Sequence, residues 1–461
     1  MAKVPDDVAK TERARLLLER GKRLGELDRP AEALIAEEEA VVLFRQLAAT
    51  DPGRYRPDLA KSLTRLGVTH SELDRSAEAL IAEEEAVAIR RQLVATDPGR
   101  YRPDLADSLS NLGVTLLDLD RPAEALSAEQ EAVTIRRQLA ARDPDDHRSD
   151  LAESLINLGV ALSRLDRAAE ALIAEQEAVV LYRQLAATSP DRYRFDLAES
   201  LTSLGVTFSE LGRSAEALGA EEEAVVLYRE LVAADPEGCR ADLAESLTSL
   251  GVTFSELGRS AEALGAEEEA VELYRQLVAT DSGDYRPDLA ESLFNLAVRL
   301  SEVDRLAEAL TAEKEAITIR RQLVATDPDR YRRDLAESLT NLGVRFLEVD
   351  RPAEALIAEG EAVALYRQLA VTDSGDYRSD LAKCLINLGA ILSQLDRSAD
   401  ALSAEQEAVM IYQQLAAADP GRYRPDFADS LTNLAVTLSE LDREEEARRA
   451  WERAEIIRAK R

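Results

Sequence analysis

Four side chains in this 461-residue chain could serve as nucleophiles or soft ligands: His70, His147, Cys239 and Cys384. A thiol beside an imidazole would give a thiolate nucleophile, and the same groups with carboxylates would give a metal site. Neither chemistry fits the spacing. There is no CxxC, HxxxH or HExxH, and two Cys with two His make neither a disulfide framework nor a ligand set. Each of the four also occupies a slot with a structural occupant elsewhere in the chain. His147 and Cys239 fall where other segments have Tyr, as at Tyr55, Tyr101, Tyr193, Tyr285, Tyr331, Tyr377 and Tyr423. Cys384 falls where Ser154 has its equivalents, and His70 replaces a Leu or Phe such as Leu116 or Phe208. The carboxylates recur along the chain and form no isolated acid/base pair, and the Leu-Gly glycines lie inside helical patterns, so no phosphate loop is present. We therefore expect no catalytic, cofactor-binding or metal-binding residue and no cofactor, and read the chain as a non-enzyme.

The slots are defined by an internal repeat. Leu27-Asp28-Arg29-Pro30-Ala31-Glu32-Ala33-Leu34 returns with small changes at Leu73, Leu119, Leu165, Leu211, Leu257, Val303, Val349, Leu395 and Leu441, always 46 residues on. Ten units without insertions leave no room for a separate catalytic domain. The expected division is a tail at 1–10, a first unit at 11–55, eight internal units at 56–424 and a shortened capping unit at 425–461. Asp196 to Val225 and Asp242 to Val271 are identical over thirty residues, so adjacent sites there would be equivalent and weak contacts could add.

In the fourth unit Leu151, Leu155, Leu158, Leu162 and Leu165 line one face of a helix of about four turns, helix A. Asp150 with Glu153 three residues on resembles a capping box at its start. A turn such as Asp-Arg-Pro opens helix B, in which Pro30, Pro122 and Pro352 suit the first helical position. Ala171, Leu172, Ala178, Val179, Tyr182 and Leu185 carry its apolar face until Ser189-Pro190, and a short polar loop follows. One such hairpin cannot bury its apolar face alone, whereas stacked copies share a continuous core. Only 4% of residues are aromatic and 32% are charged, the composition of long amphipathic helices.

Leu155-x-x-Leu158-Gly159-x-x-Leu162, then Ala171 and Ala178, resembles the tetratricopeptide repeat, and the Asp-Leu-Ala-x-Ser-Leu-x-Asn-Leu-Gly context with a long helix B resembles the extended repeats of kinesin light chains and bacterial regulatory proteins. The resemblance implies an all-α, right-handed superhelical solenoid of ten antiparallel helix pairs. Two departures stand out. The period exceeds the usual 34 residues because helix B and its loop are longer. The family's bulky aromatic in helix B is Glu in units one to nine, from Glu37 through Glu175 to Glu405, and Trp451 restores the aromatic only in unit ten. We expect this Glu either to pair with a recurring Arg such as Arg167 or Arg194, or to reach water at the edge of the face.

The resemblance also implies a concave groove lined by helix A. Its residues would include Asn111, Asn157, Asn295, Asn341, Asn387 and Asn433, amides that could pair with a peptide backbone or bridge adjacent helices. Two further rows are charged: Glu153, Glu199, Glu245, Glu291 and Glu337 in the first, and Glu210, Glu256, Glu302 and Glu348 in the second. Across all ten units the two rows hold fifteen acidic and four basic residues, so the lining either favours a basic ligand or is a solvated acidic face. With 57 basic against 89 acidic side chains the net charge is −32, which disfavours nucleic acid and anionic membranes. No run of about 18 apolar residues and no signal-peptide core occurs. The expectation is a cytoplasmic monomer that binds a basic protein or peptide. The alternatives are a sensor or autoinhibitory region of a larger bacterial signalling protein, or a self-associating array, against which the basic residues at both caps argue.

Overall fold

Aspartate-proline steps punctuate the chain and set where helices begin. Asp51, Asp97, Asp327 and Asp419 each accept a hydrogen bond from the backbone N–H three residues on, at 3.1–3.2 Å, and the following Pro takes the first helical position. The same Asp backbone N–H closes the preceding helix, as in Asp51 N to Leu47 O at 2.9 Å. One dipeptide therefore ends one helix and starts the next. Helix A begins at these prolines, well before Asp150 and its equivalents, so the expected polar loop forms the first turns of helix A and the expected capping box lies inside it. Helix A is accordingly 21 residues in several units, about six turns, longer than the apolar spacing implied.

The computed structural model describes residues 3–235, 238–280, 285–372 and 376–459. They fall into two compact units, Met1–Pro236 and Glu237–Arg461. The first unit holds α1 (Lys3–Gly25), α2 (Pro30–Thr50), α3 (Pro52–Glu72), α4 (Ser76–Thr96), α5 (Pro98–Asp118), α6 (Pro122–Ala140), α7 (Pro144–Ser163), α8 (Ala168–Thr188), α9 (Pro190–Glu210) and α10 (Ser214–Ala234). Residues 3–10, read above as a tail, are the first turns of α1. The second unit holds α11 (Arg240–Glu256), α12 (Ser260–Thr280), α13 (Arg286–Glu302), α14 (Leu306–Thr326), α15 (Pro328–Glu348), α16 (Pro352–Thr372), α17 (Asp376–Gln394), α18 (Ser398–Ala418), α19 (Pro420–Glu440) and α20 (Glu444–Ala459). Odd-numbered helices are A helices and even-numbered ones B helices, five antiparallel pairs per unit. No helix among the described residues is long and apolar enough to cross a membrane.

Each A-to-B turn reverses through one residue in the left-handed region. Asp28, Asp74, Asp120, Asp166, Asp304, Asp350, Asp396 and Asp442 have φ of 54–59°, and Gly212 and Gly258 take the same place. Asp tolerates this conformation better than most side chains. The reversal lets Arg121 N bond Leu116 O at 2.8 Å, the bond that closes a Schellman turn, and it recurs in the other pairs. Helix B then starts with an Arg whose side chain reaches the Glu or Asp three residues on, as in Arg121–Glu124 at 2.8 Å and Arg167–Glu170 at 2.7 Å.

The core is built from recurring positions. Leu63, Leu109, Leu155 and Leu201 in the first unit, and Leu247, Leu293, Leu339, Leu385 and Leu431 in the second, are almost fully buried. Opposite them stand fully buried helix B alanines such as Ala171 and Ala178, whose small side chains bring the paired helices close. Successive A helices also touch one another, α3 with α5, α5 with α7 and α7 with α9, and likewise α11 with α13 and α17 with α19. Within each unit the A helices thus form the tighter side of the stack and carry an exposed face.

Candidate functional site

On that face Glu153, Glu199, Glu245, Glu291, Glu337, Glu210, Glu256, Glu302 and Glu348 are all exposed, and Asn111, Asn157, Asn295, Asn341, Asn387 and Asn433 are half-buried. In the first unit α5, α7 and α9 bring Glu153 close to Asp107, Asp150 and Asp196. Partial burial, reinforced by those like charges, pushes the Glu153 carboxyl above the usual range even though Arg136 pulls the other way. In the second unit Glu245 lies near Asp242 and Asp288, and Glu291 near Asp334 and Glu337, with upward shifts from the same causes. Beneath these carboxylates lie buried tyrosines of the B helices. Tyr182 faces Asp196, Glu153 and Glu199, and Tyr274 faces Asp288 and Glu245.

Some units place Arg where others have that Tyr. Arg136, only 5% exposed, donates to Asp150 O at 2.7 Å and Ser154 Oγ at 2.6 Å, and reaches Asp107 on the face at 3.0 Å. Arg320 does the same in the second unit, with Asp334 O, Ser338 and Glu291 as partners. Of the second acidic row, Glu302 pairs with Arg299 at 2.6 Å and accepts from Ser255 at 2.9 Å.

The B helices tie up many of the remaining cations on the opposite side. Arg91–Glu131, Arg137–Glu177 and Arg183–Glu223 in the first unit, and Arg275–Glu315, Arg321–Glu361 and Arg367–Glu407 in the second, bridge successive B helices at 2.5–2.8 Å. Exposed pairs of this kind contribute at most about 1 kcal/mol each. Their larger effect is on charge distribution, since arginines engaged on the B side leave the A face acidic.

The recurring helix B glutamate neither reaches water nor pairs with Arg167 or Arg194, which correct the two expectations. Glu37, Glu83, Glu129, Glu175, Glu221, Glu267, Glu313, Glu359 and Glu405 are 0–4% exposed, whereas Arg167 pairs with Glu170 and Arg194 with Glu230. The glutamate instead faces the next A helix, which in several pairs donates to one of its oxygens while the other is left without a partner. Thr69 donates to Glu37 at 2.7 Å and Thr437 to Glu405 at 2.9 Å, and Thr115 and Thr207 serve Glu83 and Glu175. Where that slot is Arg345, an ion pair to Glu313 forms at 3.4 Å, and Arg65, a turn earlier, reaches Glu37 at 3.1 Å. Where it is Ala161 or Ile391, the side chain facing Glu129 or Glu359 is Asn157 or Asn387. Two of the candidate groove amides are thus turned toward buried carboxyls. Asn341 lines a hollow of about 170 Å³ with Arg333, Glu337, Asp380 and Lys383.

Room for the glutamate comes from the Leu-Gly glycine of its own pair. A Cβ on Gly159 would lie 2.8 Å from Glu175 Cγ, and one on Gly113 would lie 2.4 Å from Glu129 Oε1. At Gly251 the closest atoms would be 3.4 Å away. Gly159→Ala is therefore expected to destabilise by about 1–2 kcal/mol net of its helix-propensity gain, and Gly251→Ala to be near neutral or stabilising. Urea unfolding of the two variants checks this, and equal behaviour would refute the close-approach account. In the seventh pair Ala297 takes the glycine's place, and there Glu313 pairs with Arg345.

The four chemistry-bearing side chains stay apart. His70 is buried in α3, His147 lies 3.5 Å from Asp150, Cys239 precedes α11, and burial pushes the Cys384 thiol up to about 12. Among the described residues no group of His, Cys, Asp and Glu has the geometry to hold a metal ion.

Comparisons with known proteins bear on the whole chain. A family model described as tetratricopeptide repeat matches residues 59–98, 105–148, 151–191, 197–236, 243–284, 289–329 and 427–460, together more than half of the chain. A model of anaphase-promoting complex subunit 5 matches 361–419. Among solved structures, the chain is similar to a signal transduction ATPase with numerous domains and a tetratricopeptide repeat sensor from Pyrococcus horikoshii, at 13% identity over 86% of this chain and 55% of that one, TM-score 0.53. It is also similar to the apo quorum sensor NprR from B. thuringiensis, at 16% identity over 85% and 98%, TM-score 0.49. A putative kinesin light chain from Podosopora anserina with nearly identical repeats gives 17% identity over 49% and 99%, TM-score 0.38. No curated protein matches the chain.

Proposed function

The chain belongs to the tetratricopeptide repeat family, a class of non-catalytic protein-binding scaffolds, and from that premise we propose that it binds a basic protein or peptide along the A-helix face. The observation that carries this reading is the segregation of charge. Carboxylates crowd on the A side, where burial first and neighbouring carboxylates second raise Glu153 and Glu245, while the B-side arginines are engaged in bridges between B helices. A cationic side chain laid among Asp150, Glu153, Asp196 and Glu199 would relieve that repulsion. Neither Cys239 nor Cys384 forms a disulfide, which suits a reducing, cytoplasmic setting.

Calorimetric titration with a Lys/Arg-rich peptide at low and high salt tests the proposal. The expected result is binding that weakens at least tenfold when ionic strength rises from about 0.05 to about 0.5 M. Salt-insensitive binding, or equal binding of an acidic peptide of the same length, would overturn it. A second reading makes the array the sensor region of a larger signalling protein, in line with the fold likeness to the signal transduction ATPase. Flanking coding sequence that encodes a nucleotide-binding or protease domain would support that reading.

A further inference from the structure

Among the described residues the most deeply buried carboxyls are the helix B glutamates, and they sit at the contacts that stack one helix pair on the next. Glu129 of α6 shows the arrangement in the first unit. It is fully buried, Oε2 accepts from Ser110 of α5 at 3.2 Å, and Oε1 has no partner at hydrogen-bonding distance. The charged groups acting on it are Arg136 of its own helix and Glu153 of α7, opposite in sign, while α7 adds the neutral Asn157 and α5 the glycine Gly113. Glu359 of α16 is the counterpart in the second unit. It too is fully buried, against Gly343 of α15 and against Cys384 and Asn387 of α17, and the Cys384 thiol is the one titratable group acting on it among the described residues.

An ionised carboxylate in such a place is strongly disfavoured, whereas a protonated one has only a neutral hydroxyl to accommodate. We infer that the buried glutamates Glu83, Glu129, Glu175, Glu267, Glu359 and Glu405 make the packing of their helix pairs proton-dependent, each contact closing with its carboxyl protonated and loosening when the carboxyl ionises. The titration positions agree with the geometry. Desolvation raises Glu83, Glu175, Glu267, Glu313 and Glu405 to about 7, and Glu129 and Glu359 to about 8. The two highest are those whose slot on the next A helix is apolar, Ala161 and Ile391.

The sign of the linkage follows. A carboxyl raised in the packed state holds a proton that the opened chain, with an ordinary value of 4.5, releases. Its contribution is full below that ordinary value and is lost as pH rises through about 7 to 8.

Two measurements on the full chain test the inference. The urea midpoint is followed by circular dichroism from about pH 5.5 to about pH 8.5 for the wild type, for Glu129→Gln with Glu359→Gln, and for the surface control Glu153→Gln. Gln mimics the protonated acid, so the double variant is expected to lose less stability across this range and to exceed the wild type at the alkaline end. In parallel, the infrared C=O stretch of protonated carboxyls is followed on the wild type, where it should persist above pH 6 and disappear through pH 7 to 8. In the double variant its amplitude at about pH 6 should fall by roughly a quarter. An unchanged pH slope in the double variant would overturn the inference. So would a wild-type C=O band already absent at pH 6, a readout that holds even where the Gln variants fold poorly.

Discussion

Replacing Arg345 with Met is expected to lower the stability of the second unit by about 3–5 kcal/mol at pH 8 and by only about 1–2 kcal/mol at pH 5.5. Arg345 is buried in α15, its Nε lies 3.4 Å from Oε2 of the fully buried Glu313, and its Nη1 also meets Ser301 of α13. Removing the guanidinium strands a carboxylate at alkaline pH, whereas at acid pH Glu313, already raised to about 7 by burial, takes a proton and the loss shrinks. The repeats supply their own rescue. The equivalent slot is Thr69, Thr115, Thr207 and Thr437 in other pairs, where the hydroxyl donates to the buried glutamate. Arg345→Thr should therefore cost markedly less than Arg345→Met. Arg351→Met, which breaks an exposed pair with Glu354, should cost under about 1 kcal/mol at either pH. Urea unfolding with hydrogen exchange of α14 and α15 separates these cases. A pH-independent loss for Arg345→Met would show that Glu313 does not titrate in the folded unit.

The pairing of helices was legible because two signals of different kinds agree: the four-three spacing of Leu151 to Leu165, and the strict return of the turn at Leu165. The start of helix A was not, because Ser189-Pro190 and its Asp-Pro equivalents carry both a stop and a start. A proline ends the helix before it by restricting the preceding residue, and begins the helix after it by lacking an N–H that the first turn leaves unbonded anyway. Reading only the first effect turns the opening turns of helix A into a loop. The acidic face was legible from the helical register. The destination of the helix B glutamate was not, since its partner lies 32 residues on, in the next A helix, and changes from Thr to Arg to Ala to Ile between units. The signal that could have found it is the glycine sixteen residues before eight of the nine glutamates, Glu313 with Ala297 being the exception. Gly21, Gly67, Gly113 and Gly159 leave room for the buried side chain in the first unit, and the coincidence of Gly and Glu across the units is readable from the sequence alone.

Reversing charge on the A face is expected to separate binding from stability. In Glu153→Lys with Glu199→Lys, two exposed carboxylates become ammonium groups beside Asp150 and Asp196, a local change of four charges. At separations of about 6–8 Å and an effective dielectric between the surface and bulk values, each changed charge alters the interaction with a bound cation by about 0.5–2 kcal/mol. The double reversal should therefore weaken a Lys/Arg-rich peptide by at least about 100-fold, which corresponds to about 2.7 kcal/mol. Much of the loss should appear in the association rate, and the remaining binding should lose most of its salt dependence. Stability should move the other way. Burial and then the neighbouring Asp150, Asp107 and Asp196 hold the Glu153 carboxyl above its usual range, so a cation there relieves repulsion among carboxylates already in place. A control that reverses Glu84 and Glu222, exposed on the B helices α4 and α10, changes the net charge equally without touching the A face. If that control weakens the peptide as much as the A-face variant does, the overall field of a molecule with net charge −32 is the attractant, and no site on the A helices is needed to account for binding.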